Sequence, residues 1–259
     1  MGLTAIQALR AVVSNQSGAA RDWHIDDLRQ HELRYLADLA LIESLAPKGP
    51  VLEVGAAPCH MSALLKLSGI GAVGVDIQPQ RVGDFIRAFD LDVRRCDIER
   101  EALPFADAQF SVVLLCETFE HLRIDPAFVL SEIHRVLAPG AALLLTTPNL
   151  YALPNLARLA LGRSIADPTH EFGKLRMLGH MGHVREYSAR EVGDFLRASG
   201  FVVESVTYRY HANKRGRRAT LLRLAYRLTP RRFRREIVIV ARKQGDGPRL
   251  RPLDPPAAD

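Results

Sequence analysis

No stretch of this chain approaches the roughly 18 uninterrupted apolar residues that a bilayer-spanning helix needs, so no transmembrane helix is expected. The opening MGLTAIQALRAVVSNQSGAARDW has no basic start followed by a long apolar block, and no secretion signal is expected either. Cysteine is scarce. Cys59, Cys96 and Cys116 are odd in number and scattered through core-like segments, which argues against a disulfide framework and fits a reducing, cytoplasmic setting. Acid is almost missing from one region: from Arg209 to Lys243 there are 13 Lys and Arg and one acid, Glu236, leaving 22 basic against 28 acidic residues elsewhere. The net charge of +6 therefore belongs to a C-terminal patch and not to the whole surface.

What is present is an ordinary globular composition, 47% hydrophobic and 25% charged over 259 residues, enough for one large domain or a domain with a modest accessory part. Residues 27–45 put Leu28, Tyr35, Leu36, Leu39 and Ile42 on one helical face; Leu33 and Leu41 fall off that stripe, which predicts burial on more than one side. After the break PKGP, VLEVGA, GAVGVDI, DVRRCDI, FSVVLLC and AALLLTTPN read as strands. Between them HMSALLKLSG, QRVGDFIRAF and PAFVLSEIHRVLAPG read as helices, the last stopped by Pro139-Gly140. The alternation predicts an α/β fold, a parallel sheet with helices on both faces. Residues 150–187 interrupt the rhythm with Gly, Pro and His; SAREVGDFLRASG then restores a helix, with Ser188 as its N-cap and Gly200 just past its end. FVVESVTYRY and REIVIVARK read as last strands around a basic, partly helical insertion at 211–235. Residues 1–26 form an N-terminal extension, 27–243 the main domain, and 244–259 a Pro-rich, disordered tail.

In an open parallel sheet, ligands bind beyond the carboxyl ends of the strands. The first turn, EVGAAPCH, has Gly55 where the backbone can approach a ligand, with Ala56 and Ala57 as the smallest replacements for further glycines. Asp76 ends the second strand, where its carboxylate can take both hydroxyls of a ribose. A nucleotide-like ligand follows; the alternative is that Gly55 merely turns the chain and Asp76 caps a helix. Pro58 and Cys59 occupy the places of the further glycines that a pyrophosphate needs, which disfavours a nicotinamide dehydrogenase. Glu53, inside the first strand, suits a ligand bearing an ammonium group and a sulfonium.

At this point VLEVGAAP, GVDI, CDIEREALPFADAQFSVVLLCETFEHL and EIHRVLAPGAALLLTTPN together resemble the successive motifs of class I S-adenosylmethionine-dependent methyltransferases, from about residue 30 to 210. The resemblance implies a Rossmann-like, seven-stranded, mostly parallel sheet with the last strand antiparallel. It implies that Glu53, Gly55, Ala56 and Ala57 surround the methionine portion of the donor. Asp76 with Ile77 would hold the ribose, Asp97 with Ile98 would address the adenine, and Cys116 with Glu117 would border the donor on its acceptor side. The turn GAAPC is poorer in glycine than the family pattern, and Ser111 replaces a frequent acid at the start of strand four.

Glu117, Glu120 and His121 are spaced i, i+3, i+4, so a helical turn would put all three on one face. His121 is placed to take a proton from an acceptor hydroxyl, oriented by Glu117 or Glu120; the alternative is that Glu120 and His121 only brace the next helix. The pattern ExxEH resembles small-RNA 2′-O-methyltransferases and ubiquinone-biosynthesis O-methyltransferases. That resemblance implies a divalent ion, such as Mg, held by Glu117, Glu120, His121 and His183 of GHMGHVREYS. Residues 150–187 read as an acceptor-side lid carrying His170, His180, His183, Arg185 and Tyr187, with Gly173, Gly179 and Gly182 as hinge positions. HVREYS before a helix resembles methyltransferases of glycan and lipid-linked sugar pathways.

The segment RGRRATLLRLAYRLTPRRFRR alternates apolar residues with arginines. It allows contact with an anionic membrane surface, peripheral to the inner membrane, or with RNA phosphate, or simply solvated arginines on a packed helix; no DNA contact is expected. The expected activity is methylation of an oxygen on a small-molecule or glycan-like acceptor. The alternatives are a non-catalytic cofactor-binding module of the same fold, and an RNA 2′-O-methyltransferase with a metal.

Overall fold

A computed structural model describes residues 2–15, 19–167, 169, 173, 182–210, 226, 228–245 and 247. His170, His180 and Gly179, most of the 211–235 insertion and the tail from 248 onward lie outside the described residues. The strands are β1 (Val51–Val54), β2 (Ala72–Asp76), β3 (Asp92–Arg95), β4 (Phe110–Cys116), β5 (Leu137–Pro148), β6 (Phe201–Arg209) and β7 (Glu236–Lys243). The helices are α1 (Gly2–Asn15), α2 (Ala19–Ser44), α3 (His60–Leu67), α4 (Gly83–Phe89), α5 (Pro126–Val136), α6 (Leu153–Ala160) and α7 (Ala189–Ala198). The seven strands lie in the order β3-β2-β1-β4-β5-β7-β6, and β7 alone runs antiparallel to its neighbours. The switch point falls between β1 and β4, so the carboxyl ends of β1, β2, β4 and β5 open onto one crevice.

Side chains alternate across each strand and feed two cores. On one face Leu52, Val113, Leu115, Leu143, Leu145 and Ile239 pack with α5 and α7. On the other, Val51, Val112, Leu114, Leu144 and Val240 pack with α1, α2 and α3. Helix α1 contributes Ala5, Ile6, Leu9 and Val13, all buried, so residues 2–15 are structurally part of that second core. Truncating the fully buried Leu9 to Ala should cost about 2–5 kcal/mol, as for any large core residue. Ser188 caps α7 in a reciprocal box with Glu191, and Gly200 follows at φ +86°.

Some local expectations change. Leu33 is 44% exposed, so α2 is not buried on that side. Helix α5 stops at Val136 and β5 already begins at Leu137, three residues before Gly140. Pro139 forces Ala138 toward extended backbone, and fully buried Leu137 pairs with Phe110, so strand pairing replaces the last helical turn. Arg209 is not part of an exposed basic patch: it sits 2.5 Å from Asp38 and 3.1 Å from Glu236, two buried acids on α2 and β7. Among the described residues no helix is long and apolar enough to cross a membrane.

Candidate active site

Strand β1 ends at Val54, and Gly55 turns the chain at φ +75°. A Cβ there would lie 2.9 Å from Thr118 Cγ2 and closer still to its hydroxyl, so no other residue fits where the β1 and β4 turns touch. Ala56 is similarly constrained, because Gly74 of β2 sits directly against it. Asp76, nearly buried, accepts from the Ala57 amide (3.1 Å) and the Gln78 amide (2.8 Å). Each oxygen keeps a lone pair for a further donor. A 260 Å³ cavity opens over Asp76, Ile77, Asp97 and Ile98, where Ile77 offers an apolar surface 46% exposed.

A second cavity of 390 Å³ shares Gly55, Ala57, Glu117 and His121 with the first and continues over Glu53, Ala56 and Cys116. Glu53 takes the Ser62 hydroxyl, and burial raises its carboxyl to about 8. The far wall is α2. Asp27, His31, Arg34 and Asp38, spaced as successive turns of one helical face, all line this cavity. Sequence reasoning used α2 only for its apolar stripe; the polar stripe beside it was the available signal. Arg34 lies 3.0 Å from Glu117; burial opposes its guanidinium charge, but Glu117 together with Tyr35, Glu236 and Asp38 holds it above its usual value. Asp27 accepts from the Tyr35 hydroxyl (2.6 Å) and His60 Nδ1 (3.0 Å), and His60 Nε2 meets His24 Nδ1 at 2.9 Å. A carboxylate only accepts, so His60 carries its proton on Nδ1 and His24 donates to its other nitrogen. Burial would raise the Asp27 carboxyl, but His60 and Tyr35 bring it below its usual value; burial, then His60, lowers His24 to about 4. This buried chain fastens α2 to the start of α3, and so to the turn after β1.

After β4 the chain does not form one helical turn across all three ionisable residues. Glu117 takes φ +50°, and only Phe119–His121 wind into a 3₁₀ turn. Glu117 consequently turns to Arg34 and to the Thr146 hydroxyl (3.1 Å), away from the cluster expected for four ligands. Glu120, His121 and His183 do converge, with ligand atoms all within 4.8 Å of one another. Fully buried Glu120 accepts the Thr147 hydroxyl on Oε2 (2.9 Å), and its backbone carbonyl receives the Val184 amide at 2.9 Å, which brings the His183 segment in. Its Oε1 has no hydrogen-bond partner and lies 3.9 Å from His121 Nε2 and 4.0 Å from His183 Nε2. Burial first, then the nearby Glu117 charge, push the Glu120 carboxyl well above its usual value. His121 Nδ1 lies 2.9 Å from the Gly182 carbonyl, which only accepts, so Nδ1 carries a proton.

A third cavity, 550 Å³, shares His31, Arg34, Glu117 and His183 with the second and extends past the end of β5 to Asn149, α6 and the 230–236 loop. Within the convergent cluster it is therefore His183, not His121, that borders this side as well as the donor-like side.

A family model described as "Methyltransferase domain" matches residues 26–206. The chain belongs to this family. It is a methyltransferase domain of the class I, S-adenosylmethionine-dependent kind, and the seven-stranded sheet with antiparallel β7 is the fold of that class. Similar proteins include a "probable S-adenosylmethionine-dependent methyltransferase" of Mycolicibacterium smegmatis, 28% identical over 162 residues, 62% of this chain and 55% of the relative. A ubiquinone biosynthesis O-methyltransferase of Pseudomonas aeruginosa is 26% identical over 157 residues, 56% of this chain and 66% of the relative. The chain thus spans less than two thirds of either. Among solved structures, a possible histamine N-methyltransferase of Thermotoga maritima shares the fold at TM-score 0.58 and 20% identity, over 87% of this chain and 96% of that one. A S-adenosylmethionine-dependent methyltransferase of Archaeoglobus fulgidus does so at TM-score 0.59 and 17% identity, over 85% and 99%.

The first two cavities of this methyltransferase domain suit S-adenosylmethionine on their own chemistry. A turn that excludes a Cβ, a strand-end carboxylate with spare lone pairs, an exposed isoleucine beside it, and an acid and a cation that both line the second cavity match a ribose, an adenine and an amino-acid tail. The shortage of glycine in GAAPC does not close the turn, because alanine at 56 and 57 still leaves both cavities open.

Proposed function

We propose that this domain transfers a methyl group from S-adenosylmethionine to a hydroxyl oxygen of a small-molecule or glycan-like acceptor. The observation that supports it is the unpartnered Glu120 Oε1 of the second cavity, buried between two imidazole Nε2 atoms, one of them from His183, which lines the acceptor-side cavity as well. The donor supplies an electrophilic methyl on a sulfonium. Asp76 would hold the ribose hydroxyls, Ile77, Asp97 and Ile98 would flank the adenine, and Glu53 would meet the ammonium and Arg34 the carboxylate, beside the corner formed by Glu117, Glu120 and His183. Such placement alone supplies much of the rate of an in-line displacement. A hydroxyl must also lose its proton near neutral pH. His183 takes that proton, Glu120 Oε1 faces the imidazolium that results, and His121, fixed by the Gly182 carbonyl, keeps the pair in register. The O-methyltransferase among the relatives supports oxygen as the acceptor atom.

A second reading is favoured by the same orphan atom. One carboxylate oxygen and two imidazole nitrogens form a donor set for a divalent cation, and imidazoles favour Mn, Fe or Zn over Mg. Glu120, His121 and His183 would hold it, with Glu117 outside the set, and it would lower the pKa of the acceptor hydroxyl.

Incubating the protein with methyl-labelled donor and fractionated cell extract, then identifying the labelled product, tests the first reading; an N- or C-methylated product rejects it. Calorimetry with S-adenosylhomocysteine separates an enzyme from a cofactor-binding module, since only the latter binds without ever yielding product. Calorimetric titration with Mn and Zn, against a Glu120→Gln variant, tests the second reading: binding lost in the variant supports it, and no binding to the parent protein rejects it.

A further inference from the structure

The acceptor-side cavity has an uneven distribution of charge. Its floor is neutralised: Arg34 pairs with Glu117, and Arg209 with Asp38 and Glu236. Its mouth is not. Arg158, at the end of α6, donates to the Ile165 carbonyl (2.7 Å), and Arg235 approaches only the Tyr226 hydroxyl (3.4 Å); neither has an acid partner among the described residues. Both are exposed, and both line the same cavity. The remaining lining acid, Glu186, is occupied by the Asn155 amide at 2.5 Å and faces His183 Nδ1 at 3.8 Å. The loop that carries Arg235 also carries Arg231, Arg232 and Arg234, which deepens the positive potential at the opening.

Arg235 is not held there by chance of a floppy loop. Asn149, 1% exposed, donates to the Arg232 carbonyl (2.8 Å) and the Arg234 carbonyl (2.7 Å), while its own amide donates to the Arg235 carbonyl (2.8 Å). Asn155 on α6 donates to the Asn149 carbonyl (3.1 Å), which ties the helix bearing Arg158 to the same point. Thr146 and Thr147, just before, hold Glu117 and Glu120. One strand end thus ties both guanidinium-bearing segments to the proton-accepting corner.

We propose that the acceptor carries an anionic group, a phosphate or a carboxylate, seated between Arg158 and Arg235 while its hydroxyl reaches Glu120 and His183. This rests on the methyl-transfer reading above. Guanidinium groups suit both oxyanions because each presents paired N–H donors to two oxygens.

The test is chemical protection. The protein is treated with phenylglyoxal, an arginine reagent, with and without inorganic phosphate or acetate, and modified arginines are mapped by mass spectrometry. Phosphate or acetate at ten times its dissociation constant should slow modification of Arg158 and Arg235 by about tenfold. Arg190, 92% exposed on α7 and not among the residues that line the cavity, should be unaffected. Which anion protects at the lower concentration decides between phosphate and carboxylate. No protection, or equal protection of Arg190, overturns the proposal. Calorimetry with S-adenosylhomocysteine on the same protein keeps the two ideas apart: binding without protection rejects only the anionic acceptor, whereas absence of binding rejects the methyltransferase reading beneath it. In an Arg158→Ala/Arg235→Ala variant, S-adenosylhomocysteine binding should be unchanged; its loss would place these arginines at the donor and also overturn the proposal.

Discussion

The donor half and the acceptor half of the crevice are built on different plans. The donor half consists of strand ends and tight turns: Gly55 and Ala56 pressed against Thr118 and Gly74, Asp76 tied to two backbone amides. The acceptor half draws long polar side chains from α2, α6, the 182–187 segment and the 230–236 loop, joined at Asn149. A turn made from backbone can serve only a ligand of one shape. A wall of arginines and histidines on separate segments can be altered one residue at a time without disturbing the sheet.

If this division is real, variants in each half should affect different quantities. The largest effect is expected at His183→Ala, which should lower turnover about 10²- to 10⁴-fold, the usual worth of a positioned acid-base group, while donor affinity measured by calorimetry stays unchanged. A surviving rate in the labelled-product assay would remove His183 from the reaction. Next, Asp76→Ala should weaken S-adenosylhomocysteine about 10- to 100-fold, from the loss of about 1.5–3 kcal/mol of charge-assisted hydrogen bonding. Gly55→Ala should do comparable harm through its positive φ and the overlap with Thr118, and Gly55→Ala/Thr118→Ala should recover part of it; no recovery would mean that backbone strain alone is responsible.

Smaller still, Asn149→Ala leaves two half-buried carbonyls of the 230–236 loop without donors, a cost of about 1 kcal/mol in unfolding free energy. It should leave donor affinity untouched, and a matching fall in donor affinity would blur the division between the halves. The last prediction concerns pH. Burial raises the Glu53 carboxyl from 4.5 to about 8, so in the absence of ligand the folded form binds a proton that the unfolded chain releases between those values. That contribution to stability is fully present below pH 4.5 and is lost as pH rises through 8. Glu53→Gln should therefore raise the melting temperature more at pH 9 than at pH 5. Because a bound ammonium favours the ionised carboxyl, donor affinity should also rise with pH toward 8, with proton release visible as a dependence of calorimetric heat on the buffer.

How much of this could be read from the chain alone follows the same division. The alternation of strands and helices, the Ser188 cap and the placement of Gly55 and Asp76 came from local rules, whereas the antiparallel last strand and the placement of Asp97 came from motif resemblance. The meeting of Glu120, His121 and His183 was also legible, through motif resemblance. Glu117 was misplaced because spacing of i, i+3, i+4 presumes a helix, whereas a positive φ at Glu117 breaks it before it starts. Arg34, the Asp27–His60–His24 chain and the guanidinium groups at Arg158 and Arg235 were missed because their significance arises from contacts between segments more than 30 residues apart. Only the polar stripe on α2, from Asp27 through His31 and Arg34 to Asp38, offered a local clue.

Three polar residues at and just past the end of β5 carry a further implication. Thr146, Thr147 and Asn149 anchor, in turn, the glutamate beside Arg34, the glutamate of the histidine corner and the arginine-bearing loop. Slippage of this strand by a single position against β4 or β7 would exchange inward and outward side chains and unseat all three at once. The central placement of β5, clamped between partners running in opposite directions, makes it the ruler against which the distance from methyl to nucleophile is kept.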